Sequence, residues 1–164
     1  MNINVLLWLI PVLFTIHNLE EALTMRKYGT EHFKKMQRGQ FPAAVTILTL
    51  LVVVFIYFGT REEVGLVGRF LAIFGQASLF INALAHIIGT LRLRRYTPGL
   101  ITAVLIYIPF SIYLFNIALQ NNYITEKQLF FAFGAGIIMQ IPLVLGALFI
   151  GKLLIRLLGT SKQT

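Results

Sequence analysis

Apolar residues run through the sequence in five long, nearly continuous stretches that short polar segments separate. Each stretch is long enough to cross the hydrocarbon core of a bilayer, about 30 Å thick, as an α-helix. The apolar residues do not alternate with polar ones, which excludes spanning β-strands. The pattern therefore predicts one all-α domain, a polytopic bundle of five transmembrane helices. The predicted spans are 3–24, 42–59, 67–91, 98–120 and 128–154.

Five prolines mark or interrupt these spans. Pro42 and Pro98 stand where the second and fourth spans start, a position at which a missing N–H leaves no intrahelical hydrogen bond unmade. Pro11, Pro109 and Pro142 lie inside spans. Membrane helices tolerate interior prolines, but we expect each of these three to kink its helix.

The composition indicates that lipid surrounds most of the chain. Hydrophobic residues make up 57% of the 164 residues and charged residues 12%, against about 25% charged residues in soluble domains. The formal net charge of +8 is carried by short basic clusters between the apolar stretches, where basic residues orient membrane proteins and meet anionic headgroups. Since no basic face interleaved with aromatic residues is present, nucleic-acid binding is not expected.

The distribution of Lys and Arg predicts the orientation of the bundle. The segments after the first and third stretches and the C-terminal end hold eleven of these residues, whereas the other two segments hold three. We therefore expect the N-terminus outside and the C-terminus in the cytoplasm. The first stretch has no basic residue before Arg26 and is too long for a signal peptide, so we expect it to be a retained helix. The segment 26–40 is expected to lie on the cytoplasmic membrane surface as a short amphipathic helix.

Ionisable residues cluster in the first span, in the run His17-Asn18-Leu19-Glu20-Glu21. Spacings of three and four residues put His17, Glu20 and Glu21 on one side of a helix. Each glutamate costs about 2.5–3.5 kcal/mol in mid-membrane on insertion scales, and such residues are by default functional. The competing interpretation is structural, with polar side chains hydrogen-bonding between helices to hold the bundle together.

The third span supplies a partner, because Ser78, Asn82 and His86 recur there at every fourth position. Both spans run in the same direction, so the distance to the next arginine measures depth in the membrane. Glu20 and His86 each lie six residues before an arginine, while His17 and Asn82 lie nine and ten residues before one. We therefore expect one shared site in which Glu20 is level with His86 and His17 is level with Asn82.

Two chemistries fit this cluster. Two imidazoles with carboxylates, drawn from His17, Glu20, Glu21 and His86, are suitable ligands for Zn²⁺ or Fe²⁺. Without a metal, a buried Glu/His pair has displaced pKa values suited to proton transfer. The chain contains no cysteine, so thiolate ligands are excluded. The candidate catalytic residues are His17, Glu20, Glu21, Asn82 and His86.

Four residues are candidates for contact with a substrate or a lipid headgroup, namely Ser78, Arg92, Arg95 and Tyr96. Tyr96 opens the run Tyr96-Thr97-Pro98-Gly99, which is in the first place a cap at the start of a helix. Its expected position just inside the membrane face is what makes Tyr96 and the basic residues before it candidates for headgroup contact.

Three runs resemble those of the bacterial membrane proteins named for their HxxEE motif: His17-Asn18-Leu19-Glu20-Glu21, Asn82-Ala83-Leu84-Ala85-His86 and Tyr96-Thr97-Pro98-Gly99. The function of that family is unknown, so the resemblance implies which residues matter and not what they do. In architecture the chain is also similar to five-helix sterol isomerases of the emopamil-binding type, which use His and Glu within helices. That second likeness concerns fold and residue type alone.

Three functions follow as hypotheses. The first is a membrane-embedded enzyme of the bacterial cytoplasmic membrane, with an acid–base or metal site for a hydrophobic or lipid-like substrate. The second is a small proton-coupled transporter or exporter in which Glu20 or Glu21 titrates as cargo moves. Five helices do not divide into matching halves, so a transporter would have to be a homodimer. The third is a binding or immunity-type membrane protein without turnover.

Overall fold

The computed structural model describes residues 2–160, and its regular elements are helices. A 3₁₀ turn, Glu62–Val64, precedes α4, and a π-helical segment, Ala103–Tyr107, joins α5 to α6. The α-helices are α1 (Ile3–Tyr28), α2 (Glu31–Lys34), α3 (Gln40–Gly59), α4 (Gly65–Leu93), α5 (Leu100–Thr102), α6 (Ile108–Gln120) and α7 (Glu126–Thr160).

Within the described residues, five helical stretches are long and apolar enough to cross a membrane: Ile3–Tyr28, Gln40–Gly59, Glu62–Leu93, Leu100–Gln120 and Glu126–Leu158. This confirms the predicted all-α bundle of five spanning helices. Large apolar side chains lie exposed along these helices, for example Leu23, Leu105 and Phe130. Such a surface is stable in lipid and not in water. The chain is therefore a multi-pass membrane protein, and its orientation stays a prediction.

Helix α4 is the centre of the bundle. It packs against α3 and α7, which also pack against each other, and α1 lies against α3, α4 and the α5–α6 stretch. The crossing of α3 and α4 is close, because a Cβ at Gly68 would run into the carbonyl of Phe58. Two buried polar side chains face each other deeper in the bundle, where the amide of Gln76 donates to the hydroxyl of Ser111 at 2.7 Å.

The prolines affect the helices in different ways. Pro98 does not begin a helix, contrary to the sequence-based expectation, since Gly99 is the N-cap of α5 and its left-handed backbone (φ 86°) separates Pro98 from the helix. Pro42 lies in the first turn of α3, as predicted. The π-helical turn directly before Pro109 widens the helix where proline cannot donate a hydrogen bond to the preceding turn. Pro11 lies inside α1, which continues through it.

The connection between the first two spans is shorter than expected. Helix α1 continues to Tyr28, and the only regular element that the structure describes between α1 and α3 is the single turn Glu31–Lys34. A one-turn helix is too short to form the amphipathic surface helix predicted for this segment.

Candidate functional site

Helices α1 and α4 each present two polar residues, one turn apart, to the same point in the bundle. His17 and Glu21 come from α1, and Asn82 and His86 come from α4. The centroids of the two imidazole rings are 5.0 Å apart, with the rings nearly perpendicular. The structure thus brings together four of the five residues that the sequence suggested as catalytic.

Glu21 is the carboxylate that reaches both imidazoles. Its Oε1 lies 3.1 Å from Nε2 of His86 and 3.8 Å from Nε2 of His17. All three side chains are buried or nearly so, and their donor atoms lie within 4.8 Å of one another. The sequence-based depth argument had paired His86 with Glu20 instead. Consecutive residues point about 100° apart around a helix, so only one of two adjacent glutamates faces α4, and that one is Glu21.

Glu20 binds the start of the fourth span instead of the imidazoles. Its carboxylate accepts hydrogen bonds from the backbone N–H of Ile101 (3.0 Å) and of Thr102 (2.7 Å), from the Thr102 hydroxyl (2.5 Å) and from the phenol of Tyr96 (2.5 Å). The N-cap residue Gly99 has no side chain to accept from these free N–H groups. A carboxylate from α1 therefore caps this helix, where the helix dipole also favours negative charge.

Thr102 connects this cap to the imidazole of His17. Its Oγ1 lies 2.7 Å from Nδ1 of His17 and donates its only proton to Glu20. Because that proton is committed to the carboxylate, Nδ1 of His17 is the donor in the other bond. The neutral ring then carries its proton on Nδ1 and presents an unprotonated Nε2 to Glu21 and Asn82. A chain of hydrogen bonds from Glu20 thus sets the tautomer of His17.

Asn82 lies between the two imidazoles. Its Nδ2 is 3.3 Å from Nε2 of His17 and 3.2 Å from Nε2 of His86. The amide of Gln140, on α7, donates to Oδ1 of Asn82 at 3.0 Å, which orients the Asn82 amide with its NH₂ group toward the rings. An NH₂ group carries two protons, so Asn82 can donate to either ring or to both.

Gly99 allows the loop before the fourth span to press against both rings. A Cβ at this position would come within 2.8 Å of Cε1 of His17 and 2.9 Å of Cε1 of His86. The backbone of Gly99 is left-handed as well, with φ of 86°, which disfavours any side chain there. The loop therefore confines the two imidazoles at their Cε1 atoms.

Tyr96 lies outside the spanning helices, at the end of the same loop. Burial raises the pKa of its phenol above the ordinary value, and the hydrogen bond to Glu20 raises the pKa further. Its ring also contacts Tyr28 edge-on, with centroids 4.9 Å apart. Tyr96 is thus a neutral donor to the capping carboxylate over the whole physiological pH range.

A cavity of about 350 Å³ opens beside the cluster, within the size range of small-molecule pockets. Glu21, Asn82 and His86 line it, whereas His17 lies behind them and is 1% exposed. The other polar lining residues are Asn18, Tyr28, Thr30, Ser78, Thr97 and Gln140. The wall is otherwise largely apolar, and includes Phe14, Leu48, Val52, Phe55, Leu79, Leu143, Val144 and Leu148.

The four residues suggested for headgroup or substrate contact lie in different places. Ser78 lines the cavity, although its hydroxyl donates to the backbone carbonyl of Phe74. Tyr96 is bound to Glu20. Arg92 and Arg95 are exposed beyond the end of the site, and in the described part of the chain they do not line the cavity.

Thr102 and Gly99 were not identified from the sequence as members of the site. Gly99 was noted only as part of a helix cap. One signal was available: a glycine N-cap leaves the N–H groups of the second and third helical residues, Ile101 and Thr102, without a local acceptor. These two N–H groups predict that an acidic residue from elsewhere in the chain accepts their hydrogen bonds. Which acidic residue it is depends on how the helices pack.

Comparison with known proteins identifies the family. Residues 8–114 match the family described as "Protein of unknown function with HXXEE motif", and the chain belongs to this family. It is similar to the uncharacterised protein YrkK of Bacillus subtilis (strain 168), with 28% identity over 141 residues, 79% of this chain and 87% of the relative. No solved structure matches the chain, so the likeness to sterol isomerases stays a sequence-based expectation.

Proposed function

We propose that this member of the HXXEE family is an intramembrane enzyme that acts on a hydrophobic or lipid-like molecule held in the cavity. The observation that carries the proposal is the composition of the cavity wall. A largely apolar surface surrounds the polar cluster of Glu21, Asn82 and His86, with Ser78 and Gln140 also in the wall. Apolar pockets with a few convergent polar groups are the usual form of small-molecule sites.

In this proposal Glu21 and His86 exchange protons with the substrate. Their facing atoms are 3.1 Å apart, within the range over which a proton passes directly between a carboxylate and an imidazole. Both side chains line the cavity, so a substrate group beside them would meet an acid and a base together. When a substrate binds, the NH₂ group of Asn82 would redirect one N–H from an imidazole to a carbonyl or hydroxyl oxygen of the substrate.

The contrast between the two glutamates favours function over a purely structural role for the cluster. Glu20 accepts four hydrogen bonds at the start of the fourth span. It therefore already makes the interhelical hydrogen bonds that a structural role for the cluster requires. Glu21 caps nothing among the described residues, and its ionic contacts are with the two imidazoles. A leucine at position 21 would pack against the apolar wall without any cost of burying a charge.

The proposal is tested with purified protein in vesicles made from a total bacterial lipid extract. Lipids are compared by mass spectrometry before and after incubation, for wild type, Glu21→Gln, His86→Asn and the matched control Glu62→Gln. Glu62 is an exposed carboxylate in the 3₁₀ turn before α4. We expect at least one lipid or added hydrophobic compound to be converted by wild type and the control but not by the two site variants.

Three results would count against this proposal. Conversion that persists in Glu21→Gln and His86→Asn would remove the proposed residues from the chemistry. A proton flux into vesicles that depends on Glu21, with no compound converted, would favour a proton-coupled transporter instead. A bound lipid that is retained and never converted would favour a binding protein.

A further inference from the structure

We infer that His17, Glu21 and His86 bind one divalent transition-metal ion, Zn²⁺ or Fe²⁺, and that Glu20 positions His17 for the ion through Thr102. The inference deepens the proposed function and rests on it for its catalytic meaning. Metal binding itself is measured without any turnover. The ligand set is narrower than the one expected from the sequence, because Glu20 is excluded from it.

The two distances from the Glu21 carboxylate are close to those that a single ion requires. Tetrahedral ligands at about 2.1 Å from zinc are separated from one another by about 3.4 Å. Oε1 of Glu21 lies 3.1 Å and 3.8 Å from the two Nε2 atoms, and all three ligand atoms lie within 4.8 Å of one another. Two of the ligands, His17 and Glu21, are one turn apart on a single helix, a spacing at which neighbouring side chains meet one ion.

The hydrogen bonds around His17 direct its Nε2 lone pair toward the position between the ligands. Thr102 holds the proton of His17 on Nδ1, and the Asn82 amide lies within hydrogen-bonding distance of both Nε2 atoms. In the deprotonated state that binds a metal, a carboxylate oxygen would stand beside two unprotonated ring nitrogens in an apolar surrounding. Three electron-pair donors at this separation repel one another unless a cation lies between them, and a bound metal would take the lone pairs that Asn82 now contacts.

The chain Glu20–Thr102–His17 matches the support that histidine ligands need. A metal-bound imidazole normally donates its second N–H to a carboxylate or another acceptor, which fixes the ring and makes it a better ligand. Here a hydroxyl, itself bound to a carboxylate, is that acceptor. Glu20 cannot be a ligand at the same time, because four donors already occupy its two oxygens.

Two imidazoles and one carboxylate are typical of catalytic sites that leave coordination positions open. Zinc hydrolases and non-haem iron enzymes both use this ligand set. Glu21 and His86 line the cavity, while His17 is buried behind them. The open positions would therefore face the cavity, where a hydrophobic substrate would reach the ion.

Metal content is the direct test. Wild-type protein is purified without chelators, incubated with Zn²⁺ or, under anaerobic conditions, Fe²⁺, desalted, and assayed by elemental mass spectrometry. Titration with Co²⁺ followed by visible absorption reports the ligand environment. We expect about one ion per chain in wild type, in Asn82→Ala and in the exposed-carboxylate control Glu62→Gln. Glu21→Gln and His86→Asn should hold less than a tenth of that amount.

The positioning role has its own variant. Thr102→Val removes the hydroxyl but keeps the shape, and it should weaken metal binding about 10- to 100-fold, with Thr102→Ser restoring most of the affinity. Loss of a purely structural contact would lower the stability of Thr102→Val and leave its metal affinity unchanged.

The inference is overturned if folded wild-type protein takes up no ion of either metal, or if Glu21→Gln and His86→Asn bind as much as wild type. Failure of the proposed function gives a different pattern. Wild type then binds stoichiometric metal and both variants lose it, but no compound is converted. Turnover by metal-free protein would agree with the enzyme proposal and would contradict the metal inference.

Discussion

The two adjacent glutamates should respond in opposite ways to the same substitution. Glu20→Gln and Glu21→Gln each remove one negative charge and keep the length and shape of the side chain. In the structure, Glu20 accepts four hydrogen bonds at the start of the fourth span, whereas Glu21 faces two imidazoles. We expect the first substitution to destabilise the bundle and the second to leave its stability unchanged or higher.

The cost of Glu20→Gln follows from the donors around it. A glutamine offers one oxygen, so its NH₂ group would face an N–H donor, either Ile101 or Thr102. One unsatisfied buried donor costs about 1–3 kcal/mol, and loss of the charge at a helix N-terminus costs about 0.3–2 kcal/mol more. A total of about 2–4 kcal/mol corresponds to a fall in melting temperature of about 5–15 °C for a chain of this size.

Glu21→Gln has no comparable cost. The glutamine NH₂ group would lie beside Nε2 of His86, 3.1 Å away in the present geometry, and can donate to its lone pair. The substitution also removes a charge that is expensive to bury in an apolar bundle. Replacements at functional sites often raise stability for this reason. We expect a melting temperature within about 2 °C of wild type, or above it.

The assay is thermal unfolding in detergent by circular dichroism, with Glu62→Gln as the control for removing an exposed carboxylate. The metal-free protein is used, so that loss of a bound ion does not contribute. If Glu21→Gln loses as much stability as Glu20→Gln, both carboxylates hold the bundle together and the site would be a packing motif. If Glu20→Gln melts like wild type, its role as a helix cap is wrong.

Three further predictions concern other parts of the chain. Gly99→Ala should reduce Zn²⁺ uptake at least tenfold by elemental mass spectrometry, because its Cβ would push the two imidazoles apart and its φ of 86° disfavours alanine; unchanged uptake would refute the close approach. Cysteines introduced at Asn122 and Gln37 should differ in labelling by an impermeant reagent, Asn122 reacting in intact cells and Gln37 only after permeabilisation; the reverse result would invert the orientation. Burial raises the pKa of Tyr123 to about 12, so its hydroxyl, which donates to Gly59, stabilises the fold fully below pH 10 and loses this contribution as pH rises toward 12. Tyr123→Phe should cost about 1 kcal/mol at neutral pH and flatten that alkaline loss in denaturation curves.

The fold was predictable because it depends on runs of residues and not on individual contacts. Twenty apolar residues in lipid have to satisfy their backbone hydrogen bonds internally, and a helix is the only local way to do so. The depth match of His17 with Asn82 was predictable for a similar reason, since helical rise converts sequence distance into depth. In the structure these two side chains lie 3.3 Å apart.

The choice between Glu20 and Glu21 was not predictable from the sequence. Both lie on the polar side of α1, and their directions differ by about one-quarter of a turn. Which of them faces α4 depends on how α1 rotates against α3 and the start of the fourth span, and so on side-chain packing along the whole bundle. Thr102 was not predictable for the same reason. It contacts Glu20 although the two residues are 82 positions apart in the sequence.

The residues of the HxxEE motif make different contacts in the structure. The histidine and the second glutamate, one turn apart, form the α1 half of the site, and His86 completes it from α4. The first glutamate faces a different helix, where it caps a glycine-started turn and, through Thr102, holds the proton of the histidine away from the site. In the proposed site, positioning and chemistry would thus come from adjacent residues on one helix. Because an α-helix turns adjacent side chains about 100° apart, the pair can serve both tasks without sharing a ligand. We therefore expect that neither glutamate can replace the other, although their chemistry is identical.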